Sequence, residues 1–205
     1  MMAKLGRLSM QSLSFMTIFM VGMMFLSTAT YAADHVPTVS IQSDAAGQKL
    51  MVDGEDFMIN GMNWDYFPIG TNYSYSLWNQ PDHIIEAALS REMSLLKGMG
   101  VNTIRMYTGV QPRWVKYIYE EYGIYTVLNH SFGRYGFNVN GVWKPNVDYS
   151  DPDFQKALMA EVMGVVNEFE GVPGVLMWLL GNENNYGLFW EGAETERSEE
   201  RRVGK

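Results

Sequence analysis

From Met62 onward the chain alternates short, continuously apolar runs with segments of helical period, and no other feature constrains its fold as much. The segment Pro81 to Lys97 places Ile84, Ile85, Ala88, Leu89, Met93, Leu95 and Leu96 at close to the helical repeat of about 3.6 residues, and Gly98 and Gly100 end it. Val101 to Tyr107 (VNTIRMY) is β-branched and strand-like. Pro112 to Tyr122 is predicted as a helix stopped by Gly123, and Ile124 to Leu128 (IYTVL) as a further strand. After a long loop rich in Gly, Asn and aromatic residues, Asp151-Pro152-Asp153 supplies an N-cap and a first-turn proline for a helix reaching about Phe169. Pro173-Gly174 breaks the chain before Val175 to Leu180 (VLMWLL).

Strand, helix, strand, helix in this order predicts a parallel sheet, and strands apolar along their whole length predict one covered on both faces. A doubly wound sheet and a (β/α)8 TIM barrel both satisfy that pattern. No Gly-rich phosphate loop follows any of the strands, so a nucleotide-binding doubly wound fold has little support. Before the alternation begins, Asp53-Gly54 lies between Lys49 to Val52 and Phe57 to Ile59, the signature of a tight β-hairpin. Met62-Asn63-Trp64 is then expected to be a first buried strand. Residues 33–46 are polar without clear periodicity and read as a linker, leaving 47–196 as the barrel segment.

The two ends are set apart from that fold. Lys4 and Arg7, an apolar run from Leu13 to Leu26 and small residues up to Ala32 have the layout of a secretory signal, so 1–32 is expected to be cleaved and the protein secreted or periplasmic. The run is shorter than the roughly 20 residues that span a bilayer, so no stable membrane insertion is expected after cleavage. Arg197 to Lys205 resembles the translation of a sequencing adapter and is expected to be an artefact.

The chain carries 23 Asp and Glu against 15 Lys and Arg, and the acidic excess grows once both ends are set aside. Such a balance argues against nucleic acid as a partner and suits a neutral ligand. With no Cys there is no disulfide, and the three His (His35, His83 and His130) fall in unrelated segments. No metal site and no cofactor are expected.

In parallel α/β folds the working residues stand at the C-terminal ends of the strands. That rule selects Asn63, Trp64 and Asp65, then Arg105 and Tyr107, then Asn129 and His130, then Asn182, Glu183 and Asn184. Individual alternatives stay open. Asn63 and Asp65 could cap a turn, His130 could touch substrate or order its loop, and Arg105 could be a structural ion-pair partner. Rings crowd the same loops: Trp64, Tyr66, Phe67, Tyr73, Tyr75 and Trp78 in the first; Phe132, Tyr135 and Trp143 in the third; Tyr186, Phe189 and Trp190 in the fourth. Apolar sugar faces stack on such rings, and core packing explains any single one equally well.

The run Val175 to Glu183 (VLMWLLGNE) resembles the fourth-strand Asn-Glu motif of retaining glycosidases with TIM barrels, most closely glycoside hydrolase family 2. Phe57 to Asn63 (FMINGMN), Glu92 to Arg105 (EMSLLKGMGVNTIR) and Glu120 to Val127 (EEYGIYTV) are similar to that family's first three strand regions, in order. The resemblance implies a retaining O-glycoside hydrolase acting on β-linked carbohydrate, with Glu183 as general acid/base at a raised pKa. It implies that Asn182 bonds the sugar 2-hydroxyl, that Arg105 orients the nucleophile, and that His130, Asn63, Trp64 and Asp65 lie in the substrate-binding region. The family's nucleophile is a Glu at the end of the seventh strand, which the resemblance puts beyond this chain. Asp65 and Glu191 do not match that station. A transglycosylase using the same site, and a carbohydrate-binding barrel without catalysis, remain alternatives.

Overall fold

The computed structural model describes residues 35–184 apart from Tyr73, Thr108, Asn146 and Val147. The leader 1–32, the aromatic residues Tyr73, Tyr186, Phe189 and Trp190, Glu191 and the tail 197–205 lie outside the described residues.

Three short strands come first: β1 (Val39–Asp44), β2 (Gly47–Val52) and β3 (Glu55–Asp56), an antiparallel sheet in the order β1-β2-β3. The turn joining β2 to β3 is the expected Asp53-Gly54, with φ of 52° and 83°. Positive φ at both central positions is what a type I′ hairpin demands, and glycine adopts it without steric cost. The stretch expected to be a linker is in part a strand. Val39–Asp44 pairs along its whole length with Gly47–Val52. It shows no periodicity because almost all of it is exposed, so the backbone ladder rather than a buried face holds it.

Four parallel strands follow: β4 (Gly61–Asn63), β5 (Thr103–Tyr107), β6 (Tyr125–His130) and, after a further small hairpin, β9 (Val175–Leu180). Between them run α1 (Asp82–Gly98), α2 (Pro112–Tyr122) and α3 (Pro152–Glu168). Two helix boundaries have a local reason. Gly123 closes α2 in the left-handed conformation at φ 67°, its N–H bonded to the Tyr119 carbonyl. Asp151 caps α3 by accepting from the amides of Asp153 and Phe154.

The sheet order is β4-β5-β6-β9, sequential with no reversal, whereas a doubly wound sheet reverses its strand order at a switch point. All three helices reach one face of the sheet. Ile85, Leu89 and Met93 of α1, Trp114, Val115 and Ile118 of α2, and Phe169 after α3 join Ile104, Met106 and Leu128 in a single buried cluster. Burial of side chains this size is worth about 1.5–3 kcal/mol each. The other face carries Arg105, Val127 and Asn129 and no helix among the described residues. Sequential parallel strands with helices on one side are the repeating unit of a (β/α) barrel.

The first parallel strand differs from expectation. Gly61, Met62 and Asn63 are exposed, because β4 is the edge of the four-stranded sheet; burial begins only at Trp64. The hairpin β7 (Phe137–Val139) and β8 (Val142–Lys144) was also not anticipated within the third loop. Its signal was present: Asn140-Gly141 between Phe137-Asn138-Val139 and Val142-Trp143-Lys144, with φ of 52° and 81°. Phe137 and Val139 bury against Phe154, Leu158 and Val162 of α3, which fixes the hairpin over that helix.

Candidate active site

The uncovered face of the sheet gathers its polar groups around one guanidinium. Arg105 projects from β5, and its Nε donates to Oδ1 of Asn129 at 3.0 Å. One terminal nitrogen donates to the same Asn129 oxygen and, at 2.6 Å, to Oδ1 of Asn182. The other reaches Oδ1 of Asn63 at 3.4 Å, and the guanidinium lies over the Tyr107 ring, 5.0 Å from its centroid. Side chains from all four parallel strand stations therefore meet at Arg105. The register explains the meeting, since Asn63 pairs with Arg105 and Tyr107 with Asn129 across adjacent strands.

Among the described residues Arg105 has no acidic partner, and the groups it meets are neutral amides and a ring. Three acceptors and a π face hold the cation in place, and none of these described groups compensates its charge. Asn129 is fully buried, and its amide nitrogen donates to the carbonyls of His130, Leu179 and Gly181 at 2.9–3.0 Å. It thus locks the end of β6 to the end of β9.

Beyond β9 the backbone turns sharply at the residues of greatest interest. Gly181 has φ 118°, and a Cβ there would lie 2.6 Å from Oδ1 of Asn184, which accepts from the Asn182 amide at 2.6 Å. Glu183 follows with φ 57°, left-handed for a residue that carries a side chain. Such a conformation costs on the order of 1–3 kcal/mol and persists only where the surroundings impose it. Two clamps impose it. Arg134, 7% exposed, donates from Nε to the Glu183 carbonyl at 3.1 Å. Asn184 donates to the Tyr149 hydroxyl at 2.7 Å and to the Phe132 carbonyl at 3.2 Å, while Tyr149 donates to that same carbonyl at 2.7 Å. The Tyr149 loop is ordered in turn by Asp148, whose carboxyl is held below the ordinary aspartate range by the Ser150 hydroxyl and amide.

The Glu183 side chain is exposed and accepts no hydrogen bond from any described residue. The burial expected around this carboxyl is not supplied by the described part of the chain. Asn182 by contrast is held at both ends of its amide, with Oδ1 on Arg105 and Nδ2 donating to the Tyr135 hydroxyl at 2.5 Å.

The remaining candidates divide. Trp64 is 8% exposed, tilted against Trp78 at 6.1 Å, and belongs to the main core cluster. With Asp65, Tyr107 and others it lines a cavity of about 200 Å³ at the rim of β4 and β5. Asp65 accepts from the following amide, that of Tyr66, at 2.8 Å. His130 does not face this site. It is 4% exposed, its Nδ1 accepts from the Phe132 amide at 3.0 Å, and its Nε2 donates to Glu161 of α3 at 2.9 Å. With both ring nitrogens engaged on the helix side of the sheet, it orders its loop and has no nitrogen left for a substrate.

Sequence reasoning did not single out Arg134 or Tyr149. Arg134 had a usable signal, an isolated cation within Gly133-Arg134-Tyr135-Gly136 directly after a strand of an acidic chain. Tyr149 had none, since its role depends on the loop folding back onto Asn184.

A family model described as Glycosyl hydrolases family 2, TIM barrel domain, matches residues 44–194. A β-galactosidase of Vibrio cholerae is 26% identical over 141 residues, covering 67% of this chain and 12% of that protein. The 1,3-beta-glucanosyltransferase gel2 of Aspergillus fumigatus is 30% identical over 158 residues, covering 76% of this chain and 30% of that protein. Among solved structures, a β-glucuronidase of Parabacteroides merdae aligns at a TM-score of 0.49 and 18% identity, over 73% of this chain and 16% of the other. The chain spans 12% and 30% of the lengths of the two curated relatives.

Proposed function

Because this chain belongs to glycosyl hydrolase family 2 through the TIM barrel domain matched over residues 44–194, we propose that it supplies the acid/base half of a retaining β-glycoside hydrolase. On this reading β4, β5, β6 and β9 are the first four strands of an eight-stranded barrel, and Glu183 protonates the glycosidic oxygen and later deprotonates the incoming water. The observation that carries the reading is the Glu183 turn. A carboxylate stands at the C-terminal end of a parallel strand, in a left-handed backbone conformation imposed from two sides, with its own oxygens bonded to none of the described residues. A purely structural glutamate has no need of that arrangement.

Asn182, pinned between Arg105 and Tyr135, presents an oriented amide to the sugar 2-hydroxyl, a contact that strengthens as the oxocarbenium-like transition state forms. Retaining chemistry needs a second carboxyl about 5–5.5 Å from the first. Arg105, with its charge uncompensated by the neutral groups around it, is suited to receive that second carboxylate, which we assign to a residue outside the described part of the chain. Closure of the remaining barrel over Glu183 then takes the carboxyl out of bulk solvent. The leader is read as a cleaved export signal, which N-terminal sequencing of the mature protein tests.

A second reading, transglycosylation, is favoured by the similarity to the glucanosyltransferase. It differs only in the acceptor that Glu183 deprotonates, and product analysis with and without added acceptor sugar separates the two.

Glu183→Gln in the full-length enzyme tests the assignment. The amide keeps the shape but cannot donate the proton, so glycosides with poor leaving groups are expected to lose about 100- to 10,000-fold in rate. Activated aryl glycosides lose far less in their first step, a glycosyl-enzyme accumulates, and azide restores turnover. Near-normal turnover of a poor-leaving-group substrate by the folded variant rejects the role.

A further inference from the structure

We propose that the β7–β8 hairpin carries an additional sugar-binding subsite, built on Trp143, Asn138 and Tyr135, that receives a second unit of a β-linked oligosaccharide next to the Asn182 position. The proposal rests on the glycosidase reading above and adds to it where the chain of sugars runs.

Exposure of a single large ring decides nothing, since isolated apolar residues are common on protein surfaces. Three further observations separate Trp143 from that background. It is 59% exposed on the face of the hairpin opposite Phe137 and Val139, which are buried against α3, so the platform has a rigid underside. The indole lies directly against Gly136: a Cβ at that position would fall 2.4 Å from Cζ2 and 2.9 Å from Cε2 of Trp143, and Gly136 has φ 97°. Any other residue at 136 would displace the ring, so the backbone is shaped to seat it. Asn138 is the residue directly across the ladder from Trp143, which puts an exposed amide beside an exposed indole on one surface.

An apolar ring face beside an amide is the pairing that recognises a pyranose, whose C–H face stacks while its vicinal hydroxyls hydrogen-bond. The platform is also joined to the site already described. Tyr135, adjacent to Gly136 and 43% exposed, accepts from Asn182 Nδ2 at 2.5 Å, and the Arg134 guanidinium that clamps Glu183 lies 5.4 Å from the Tyr135 ring centroid. Asn182 thus bonds Tyr135, Tyr135 is followed by Gly136, and the Trp143 ring lies against Gly136, a continuous series of groups from the site to the platform. The acidic balance of the chain suits a neutral ligand.

The test is binding, measured by calorimetry on the full-length enzyme in a Glu183→Gln background that does not turn the probes over. The probes are laminarihexaose, cellohexaose and galactohexaose, each beside the corresponding methyl β-glycoside. Trp143→Ala is expected to weaken the preferred hexasaccharide about tenfold and to leave the methyl glycoside unchanged. Trp143→Phe, which keeps a ring, should recover most of the loss, and Asn182→Ala should weaken both ligands. Unchanged hexasaccharide affinity in folded Trp143→Ala, with Asn182→Ala still impaired, overturns the subsite and leaves the glycosidase reading standing. A lowered melting temperature with unchanged affinity makes Trp143 a packing group and likewise overturns it. Failure of the folded full-length parent to bind any of these sugars overturns the subsite, and the glycosidase reading is then judged by the Glu183→Gln kinetics alone.

Discussion

At their N-terminal ends β6 and β9 run into rings and aliphatic chains, whereas at their C-terminal ends they run into amides and a guanidinium. The first end is closed by the leading hairpin: Val52, Tyr119, Tyr125 and Leu176 are buried together, with Val39, Leu50, Phe57, Val127 and Met177 packed around them. Phe57 meets Tyr125 edge-on at 5.1 Å, and Tyr119 meets it at 5.0 Å. A Cβ on Gly174, just before β9, would fall 2.4 Å from Tyr119 Cβ, so even the strand entry is shaped around that plug. At the other end Arg105, Asn129 and Asn182 form a directional network, and the left-handed Glu183 is strained rather than relaxed. The same strands thus spend one end on non-directional burial and the other on fixed orientation, and mutations at the two ends should fail in different ways.

The largest expected effect tests the packed end. Leu176→Ala removes a side chain that is 4% exposed and should cost about 2–5 kcal/mol of stability, read as a shifted denaturant midpoint. The fraction that stays folded should keep the kcat of the parent. A kcat that falls in step with stability would erase the distinction between the ends.

Next in size, Arg105→Lys tests the polar end. Lysine keeps the charge but cannot bond Asn129 and Asn182 with one planar fork. Misplacement of a positioned group by about 1 Å can cost on the order of 100-fold in rate. We expect a loss of that order in kcat/KM of the full-length enzyme on both poor and activated leaving groups, with a melting curve close to the parent's. Loss of stability without loss of rate would make Arg105 a structural cation.

The smallest effect sharpens the comparison at the hairpin. The His35 ring and the Thr38 amide both bond the Asp53 carboxyl and hold it below the ordinary aspartate range. A depressed folded-state value means that the contribution is present above the unfolded value of about 3.9 and is lost as pH falls through the folded one. Asp53→Asn should therefore melt slightly below the parent at neutral pH and together with it in strong acid. A gap that persists unchanged into acid would show that the contact does not depend on the charge.

Much of the fold was legible because local signals agreed with one another. The two prolines and Gly123 bound α2 and α3 where sequence predicts, the apolar run Val175 to Leu180 is a strand over its whole length, and Asp53-Gly54 turns as its residues require. The elements missed lacked a buried face, as in β1, or were short enough to be absorbed in a loop, as in β7 and β8. Position after a strand was enough to nominate Asn63, Arg105, Asn129, Asn182 and Glu183. It could not separate them from His130, because neighbouring residues of a strand face opposite ways and the choice between sheet face and helix face depends on register with the next strand.

By itself, then, the order of residues determined which segments are strands and helices, that the strands are parallel, and that polar groups collect at one end of them, because periodicity, capping and turn preference act over a few residues. Only the tertiary structure decided that Arg105 gathers three amides instead of an acid, that His130 turns away to Glu161, and that Arg134 and Asn184 hold Glu183 in its left-handed turn. Those outcomes join groups from separate strands and loops, up to 77 positions apart in the case of Arg105 and Asn182, and local preference carries no information over that distance.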